Sequence, residues 1–263
     1  MQRENIKSTD ASNQKILLII PCRLKSKRLP RKVLLPIGNT PMVIKVFHEI
    51  KNISAFRRFV LCEDLAIKDV CDKYHVPVEL SDKDCSSGTH RIASWLIRNQ
   101  MNDNDIIVNI QGDEPFIETK AVDQVIHMLQ SNQEAGVATL WSPLDISCAA
   151  DPNRVKLVTT HNNRVIYFSR SLIPNMNRSV AQQKLYRMHI GLYAYRAWAL
   201  KSYYHNKESV LSQQESLEQL SFIDQGIPVF AEKSKVEVQA GIDTIHDYQR
   251  VNQSLVLCGG VNT

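Results

Sequence analysis

The chain has 263 residues, 43% of them hydrophobic, and a formal net charge of +5; that is enough for one sizeable α/β core, or a core with a small appendage. The charge excess is modest and no basic face interleaved with aromatics is present, which sets aside a dedicated nucleic-acid binder, and no apolar run nears the ~18 residues of a membrane span. Six cysteines (Cys22, Cys62, Cys71, Cys85, Cys148 and Cys258) without C-x-x-C spacing read as reduced, packed thiols, and with no apolar signal core in the opening segment the expectation is a cytoplasmic, soluble protein.

Residues 1–14 read as a mobile tail. The apolar run Ile16–Ile20, ended by Pro21, is expected to be a strand buried on both faces. Behind it the stretch 21–32 (PCRLKSKRLPRK) places six basic residues in ten positions, a density that calls for an anionic partner. Helical spacing of Met42, Val46 and Ile50 predicts a helix over 41–51. A strand at 59–62, a helix at 64–74, a strand at 76–80 and a helix containing 91–98 follow. Next come a strand at 105–110, a helix at 119–130 and a strand at 136–141.

This alternation predicts a Rossmann-like, doubly wound, mainly parallel sheet, whose ligands sit beyond the carboxyl ends of the strands. Loops 21–32, 84–91 and 111–115 would occupy that position. After Pro152 the texture changes. Runs 154–159 and 164–168 flank a turn at 161–163, and a Tyr-rich strand follows at 189–195. A helix over 213–224, short strands near 228–231 and 235–238, and a closing helix at 244–257 complete the chain. The division is thus a tail (1–14), an α/β domain (15–151 and 196–258) and an inserted α+β lobe (152–195).

In the basic loop, Arg23, Arg28 and Lys32 can converge on a polyanion while backbone N–H groups point at phosphates. A solvated basic loop is the plain alternative. The spacing G-x-x-x-x-G-K-S/T is missing, which excludes a Walker-type loop. Gln111-Gly112-Asp113-Glu114-Pro115 follows a buried strand, where an acidic pair suits Mg²⁺ and Gln111 can bond a base or sugar; alone it also reads as an acidic capping turn. In Gly241-Ile242-Asp243-Thr244, Asp243 is an ordinary N-cap unless the fold carries it to Asp113. Ser87-Gly88-Thr89-His90-Arg91 is a small-residue turn into a helix that offers a base or phosphate contact, though by itself it reads first as an N-cap with an exposed arginine, and His189 as a strand histidine with its bonds satisfied.

In this order the segments resemble the 3-deoxy-manno-octulosonate (Kdo) cytidylyltransferase family, over about residues 16–251. The segments are P-x-R-x-x-S-x-R-L-P-x-K (21–32), SGTHR (87–91), NIQGDEP (109–115), PNRVK (152–156), YFSR (167–170), HIGLYAY (189–195), LEQL (217–220) and GIDT (241–244). The resemblance implies a sheet of the nucleotide-diphospho-sugar transferase type and a reaction in which CTP and Kdo give CMP-Kdo and pyrophosphate, for lipopolysaccharide or capsule. It implies that Arg23 and Lys32 grip the triphosphate, that Ser26 and Arg28 shape the loop, and that Arg91 and Gln111 face the nucleotide. Asp113 and Asp243 would hold Mg²⁺, and Arg23, Lys32, Asp113 and Asp243 would be the catalytic set. The sugar-acid pocket would hold Arg170, His189, Tyr193, Glu218 and Gln219, with Lys156 nearby, and the inserted lobe would form a homodimer.

The sequence departs from the family pattern at Arg31, where glycine is usual, at His90, at Met188 before the histidine, and at Ile245-His246 after GIDT. A second reading keeps the chemistry and changes the acceptor to 8-amino-Kdo or a nine-carbon sialic-type acid. A third is a non-catalytic nucleotide-sugar binding protein.

Overall fold

The structure, a computed structural model, describes residues 14–26, 28–175, 186–206, 209–239 and 241–259; Lys27 and nearly all of the expected tail lie outside them. The first half runs β1 (Ile16–Cys22), β2 (Pro36–Ile37), β3 (Thr40–Pro41), α1 (Met42–Glu49), β4 (Arg57–Cys62), α2 (Leu65–Lys73), β5 (Val78–Leu80), α3 (Gly88–Arg98), β6 (Ile106–Asn109) and α4 (Thr119–Ser131). The second half runs β7 (Val137–Leu144), β8 (Lys156–Thr159), β9 (Val165–Ser169), β10 (Tyr186–Arg196), α5 (Ala197–His205), α6 (Val210–Glu215), α7 (Leu220–Asp224), β11 (Val229–Lys233) and α8 (Ile245–Gly259).

The main sheet has the order β11-β7-β10-β6-β1-β4-β5, with β8 on β10 and β9 on β8. Every neighbouring pair along that path is parallel except the two made by β10, which runs antiparallel to both β6 and β7. β1 is apolar throughout because it is covered twice. Leu18 and Ile20 pack in one cluster with residues of α1, α2 and α4, while Leu17 and Ile19 pack in another with residues of α3, α5 and α7. That is the physical reason its sequence shows no polar alternation.

Four expectations are corrected. The lobe expected over 152–195 does not end outside the sheet, because β10 is a central strand, paired with Ile106–Asn109 on one side and with β7 on the other. The helix expected over 213–224 is two short ones, α6 and α7, broken at Ser216, which sits in the left-handed region at φ 52°. Residues 235–238 form no strand. The helix α5 lies where none was expected.

The chain leaves β1 for β4 and β5 on one side, then crosses back to place β6 on the other. Pairing of β1 with β6 ends at Ile19↔Asn109, whereas its pairing with β4 continues to Cys22↔Cys62. The loops after β1 and β6 therefore part at this topological switch point, where a crevice opens.

Candidate active site

An open cleft of about 1000 Å³ occupies that crevice, walled by side chains from the end of β1 and the loop after it, from the turn into α3 and from residues 111–113, with Glu218 and Asp243. Arg23, Ser26, Arg28, Lys32, Arg91, Gln111, Asp113 and Asp243, all expected at the nucleotide and metal sites, line it together. Ser87 of the small-residue turn lines it too, as do Lys25 and Ser86, which were not singled out and which only the basic loop and the 84–91 loop hinted at.

Two close approaches build the acidic side. A Cβ on Gly112 would meet Cys22 Sγ at 2.6 Å, so only glycine lets the loop after β6 lie against the end of β1. Gly241 passes over the Asp113 carbonyl, where a Cβ would stand 3.2 Å away, and the next residue bonds the same oxygen, Ile242 N–H to Asp113 O at 2.9 Å. This docking carries Asp243 to Asp113. The expectation of Asp243 as an N-cap is overturned, because the cap of α8 is a reciprocal box between Thr244 and Asp247. Thr244 N–H and Oγ1–H donate to Asp247 Oδ2 at 2.9 and 2.8 Å, and Asp247 N–H donates to Thr244 Oγ1 at 3.2 Å. Asp243 is left facing the cleft.

The carboxylates of Asp113 and Asp243 share one cation. Lys32 Nζ donates to Asp113 Oδ2 and, at 2.8 Å, to Asp243 Oδ1, while Arg28 reaches Asp243 Oδ2 at 2.9 Å. Burial alone would lower the Lys32 pKa; the two carboxylates more than offset it and the ammonium titrates higher than usual. Burial, helped by the charges of Asp113 and Asp243, pushes the neighbouring Glu114 carboxyl up to about 8. The two aspartates thus meet two basic side chains, Lys32 and Arg28, on this side of the cleft. Two carboxylates converging on one cation, with an open side toward the cleft, fit Mg²⁺, which takes few protein oxygens and keeps positions for phosphate and water. Among the described residues no cluster of three or more His, Cys, Asp or Glu could hold a metal ion.

Arg91 is not the exposed residue the turn suggested. Its guanidinium is 2% exposed and engages Glu63 at 2.6 Å, Ser81 Oγ and the Asp82 carbonyl at 3.2 Å. It fixes the wall of the cleft over residues 81–87, with Ser87 capping α3.

Glu218 is the link to the acid-binding residues expected around β10. Its Oε1 accepts from Thr89 Oγ1 at 2.6 Å, and Oε2 is buried without a hydrogen-bond partner. Thr89 also meets the Tyr195 hydroxyl at 3.3 Å, and Tyr195, Tyr193, His189 and Phe168 stand as a row of rings behind it. Gln219 is buried next to Glu218. His189 Nε2 lies 3.1 Å from Thr139 Oγ1, whose single proton goes to the Ile190 or Leu192 carbonyl, so the imidazole donates. Burial drives its pKa down to about 3, leaving it neutral.

Arg170 and Lys156 stand outside the cleft. Arg170 binds the carbonyls of Glu215, Ser216 and Pro152 at 2.8, 3.2 and 3.0 Å. Lys156 is fully buried, its ammonium held by the carbonyls of Asp151 and Arg170 at 3.1 and 2.5 Å, which gives it no face toward a ligand. It stands beside Arg170 as a brace between the turn before β8 and the end of β9.

The family model for cytidylyltransferases matches residues 17–234. The 3-deoxy-manno-octulosonate cytidylyltransferase of Francisella tularensis subsp. novicida is 36% identical over 245 residues, covering 90% of this chain and 97% of that protein. The enzyme of the same name from Polynucleobacter necessarius is 34% identical over 250 residues, covering 94% and 98%. A solved CMP:2-keto-3-deoxy-manno-octonic acid synthetase complexed with CTP superposes with a TM-score of 0.86 at 30% identity, over 93% of this chain and 99% of that one. A cytidylyltransferase from Leptospira borgpetersenii, at 18% identity and a TM-score of 0.61, shares the fold alone. The cleft and the sheet around it are those of a nucleotidyltransferase. The chain belongs to the cytidylyltransferase family, and within it to the 3-deoxy-manno-octulosonate cytidylyltransferases.

Proposed function

We propose that the protein transfers the cytidylyl group of CTP to Kdo, releasing pyrophosphate. The observation that carries this reading is the convergence of Lys32, Arg28, Asp113 and Asp243 at the switch point of the sheet, in a chain alike over nine-tenths of its length to enzymes of that name. Arg23, Arg28 and Lys32 receive the triphosphate, and Ser26, Gln111 and the 81–87 wall braced by Arg91 border the nucleoside. The acceptor lies toward Glu218, whose unpartnered Oε2 suits a sugar hydroxyl, with Gln219, Tyr193 and His189 behind it and Arg170 at the edge.

The anomeric hydroxyl oxygen forms the new bond to the α-phosphorus as the bond to the pyrophosphate oxygen breaks; pyrophosphate leaves with the electron pair and the hydroxyl proton passes to solvent. Positioning and neutralisation of the developing charge are what the side chains contribute. Asp113 and Asp243 would hold Mg²⁺, whose charge would add to that neutralisation. We place the reaction in the cytoplasm, feeding lipopolysaccharide or capsule synthesis. We also propose a homodimer through the 152–195 segment, a reading supported by exposed apolar side chains at Ile166 and Leu172.

Pyrophosphate release with CTP, Kdo and Mg²⁺ tests the metal assignment. Asp113→Ala is expected to lose at least about a hundredfold in turnover while keeping its circular dichroism and melting curve. Wild-type turnover in that variant would overturn the assignment.

A further inference from the structure

We propose that Lys32 is an internal counter-ion that keeps a divalent cation out of the Asp113–Asp243 site until a nucleoside triphosphate draws the ammonium away. The inference rests on the metal reading of these two aspartates. Lys32 Nζ stands between their carboxylates, bonded to Asp113 Oδ2 and to Asp243 Oδ1 at 2.8 Å. Asp243 has its other oxygen on Arg28 at 2.9 Å. An ion arriving alone therefore has to displace an ammonium already seated on both ligands, and it would then lie beside two uncompensated cations. The charges are balanced as they stand, two negative against two positive.

A triphosphate changes that balance. Its oxygens accept from Lys32 and Arg28, and the aspartates then face the metal that neutralises the remaining phosphate charge. The exchange needs no movement of the main chain. Lys32 opens a short 3-10 helix (Lys32–Leu34) pinned by Leu34 N–H to the Arg31 carbonyl at 2.9 Å and by the buried Val33. Its four-carbon stem lets a compact charge swing over several ångströms from that fixed base. The carboxylates and the triphosphate site thus share one switchable cation, and metal affinity is coupled to nucleotide through it.

The test uses Mn²⁺ as the probe, titrated into the full chain without nucleotide and followed by electron paramagnetic resonance. Lys32→Met is expected to bind Mn²⁺ at least about tenfold more tightly than wild type, since a cation is removed from beside the ligands. Lys32→Arg, which keeps the charge, is expected to bind as weakly as wild type, and Asp113→Asn added to Lys32→Met is expected to abolish the gain. Lys32→Gln serves in place of Lys32→Met if melting shows the latter unfolded. Equal Mn²⁺ affinity in wild type and the neutral variant would overturn the counter-ion role and leave the metal reading intact. If Mn²⁺ binding to the CTP-loaded wild type does not depend on Asp113, the metal reading fails, and the inference with it.

Discussion

Arg31 holds a left-handed backbone, φ 56° and ψ 24°, at the start of the 3-10 turn that presents Lys32. For an L-residue this conformation costs about 1–2 kcal/mol, whereas glycine adopts it freely but loses more chain entropy on folding. Arg31→Gly is therefore expected to raise stability by up to about 1 kcal/mol, read as a higher urea midpoint with an unchanged slope. A lower midpoint would mean that the arginine side chain stabilises the loop by more than its backbone costs. At this scale the sequence was legible where chemistry and chain position coincide. Lys32, Asp113, Asp243 and Gln111 all reach the cleft. It was not legible where burial decides. Lys156 looks like a ligand-binding cation in the sequence, yet it is enclosed by carbonyls, and Arg91, which the turn alone suggests is exposed, is buried at the cleft wall against Glu63.

Among the elements, the cleft depends on β1 and β6 parting company and on the loop after β6 folding down onto Cys22. Gly112→Ala would press its Cβ into Cys22 Sγ, at a cost of about 1–3 kcal/mol. Cys22→Ala in the same chain is expected to recover part of that loss, because the sulfur is the one atom within clashing distance; a double variant no more stable than Gly112→Ala would contradict the clash as the source of the loss. The strands β1, β4 and β6 were readable from their apolar runs, since both faces are covered there. The failures have local causes. A left-handed Ser216 breaks a helical pattern that otherwise continues. In α5 the apolar residues Ala197, Ala199 and Leu200 lie in an aromatic-rich segment with little polar contrast, so no helical face stood out.

For the whole molecule, the antiparallel insertion of β10 ties β7 and β8 to β6 through one strand, Tyr186–Arg196. His189 sits on that strand, and its pKa of about 3, against an ordinary 6.5, makes stability depend on pH. The unfolded chain takes up a proton near pH 6.5 and the folded chain only near pH 3, so this contribution is complete above about 6.5 and is lost as pH falls toward 3. Glu114 has the opposite sign, with a folded pKa raised from 4.5 to about 8, so its contribution is present below 4.5 and lost as pH rises through 8. A comparison with His189→Gln separates the two. Between pH 7 and 5 the wild type is expected to lose more unfolding free energy than the variant, measured by urea titration at each pH; parallel losses would mean that the imidazole protonates in the folded state.

The most direct measurement is pyrophosphate release from CTP with Mg²⁺, offering Kdo, 8-amino-Kdo and N-acetylneuraminate in parallel. Release with Kdo, at a rate well above that with the other two acids, is the expected result. Release with another acid alone would keep the cleft chemistry and contradict the acceptor. No release with any of them, from folded protein that still binds CTP, would contradict the enzymatic reading.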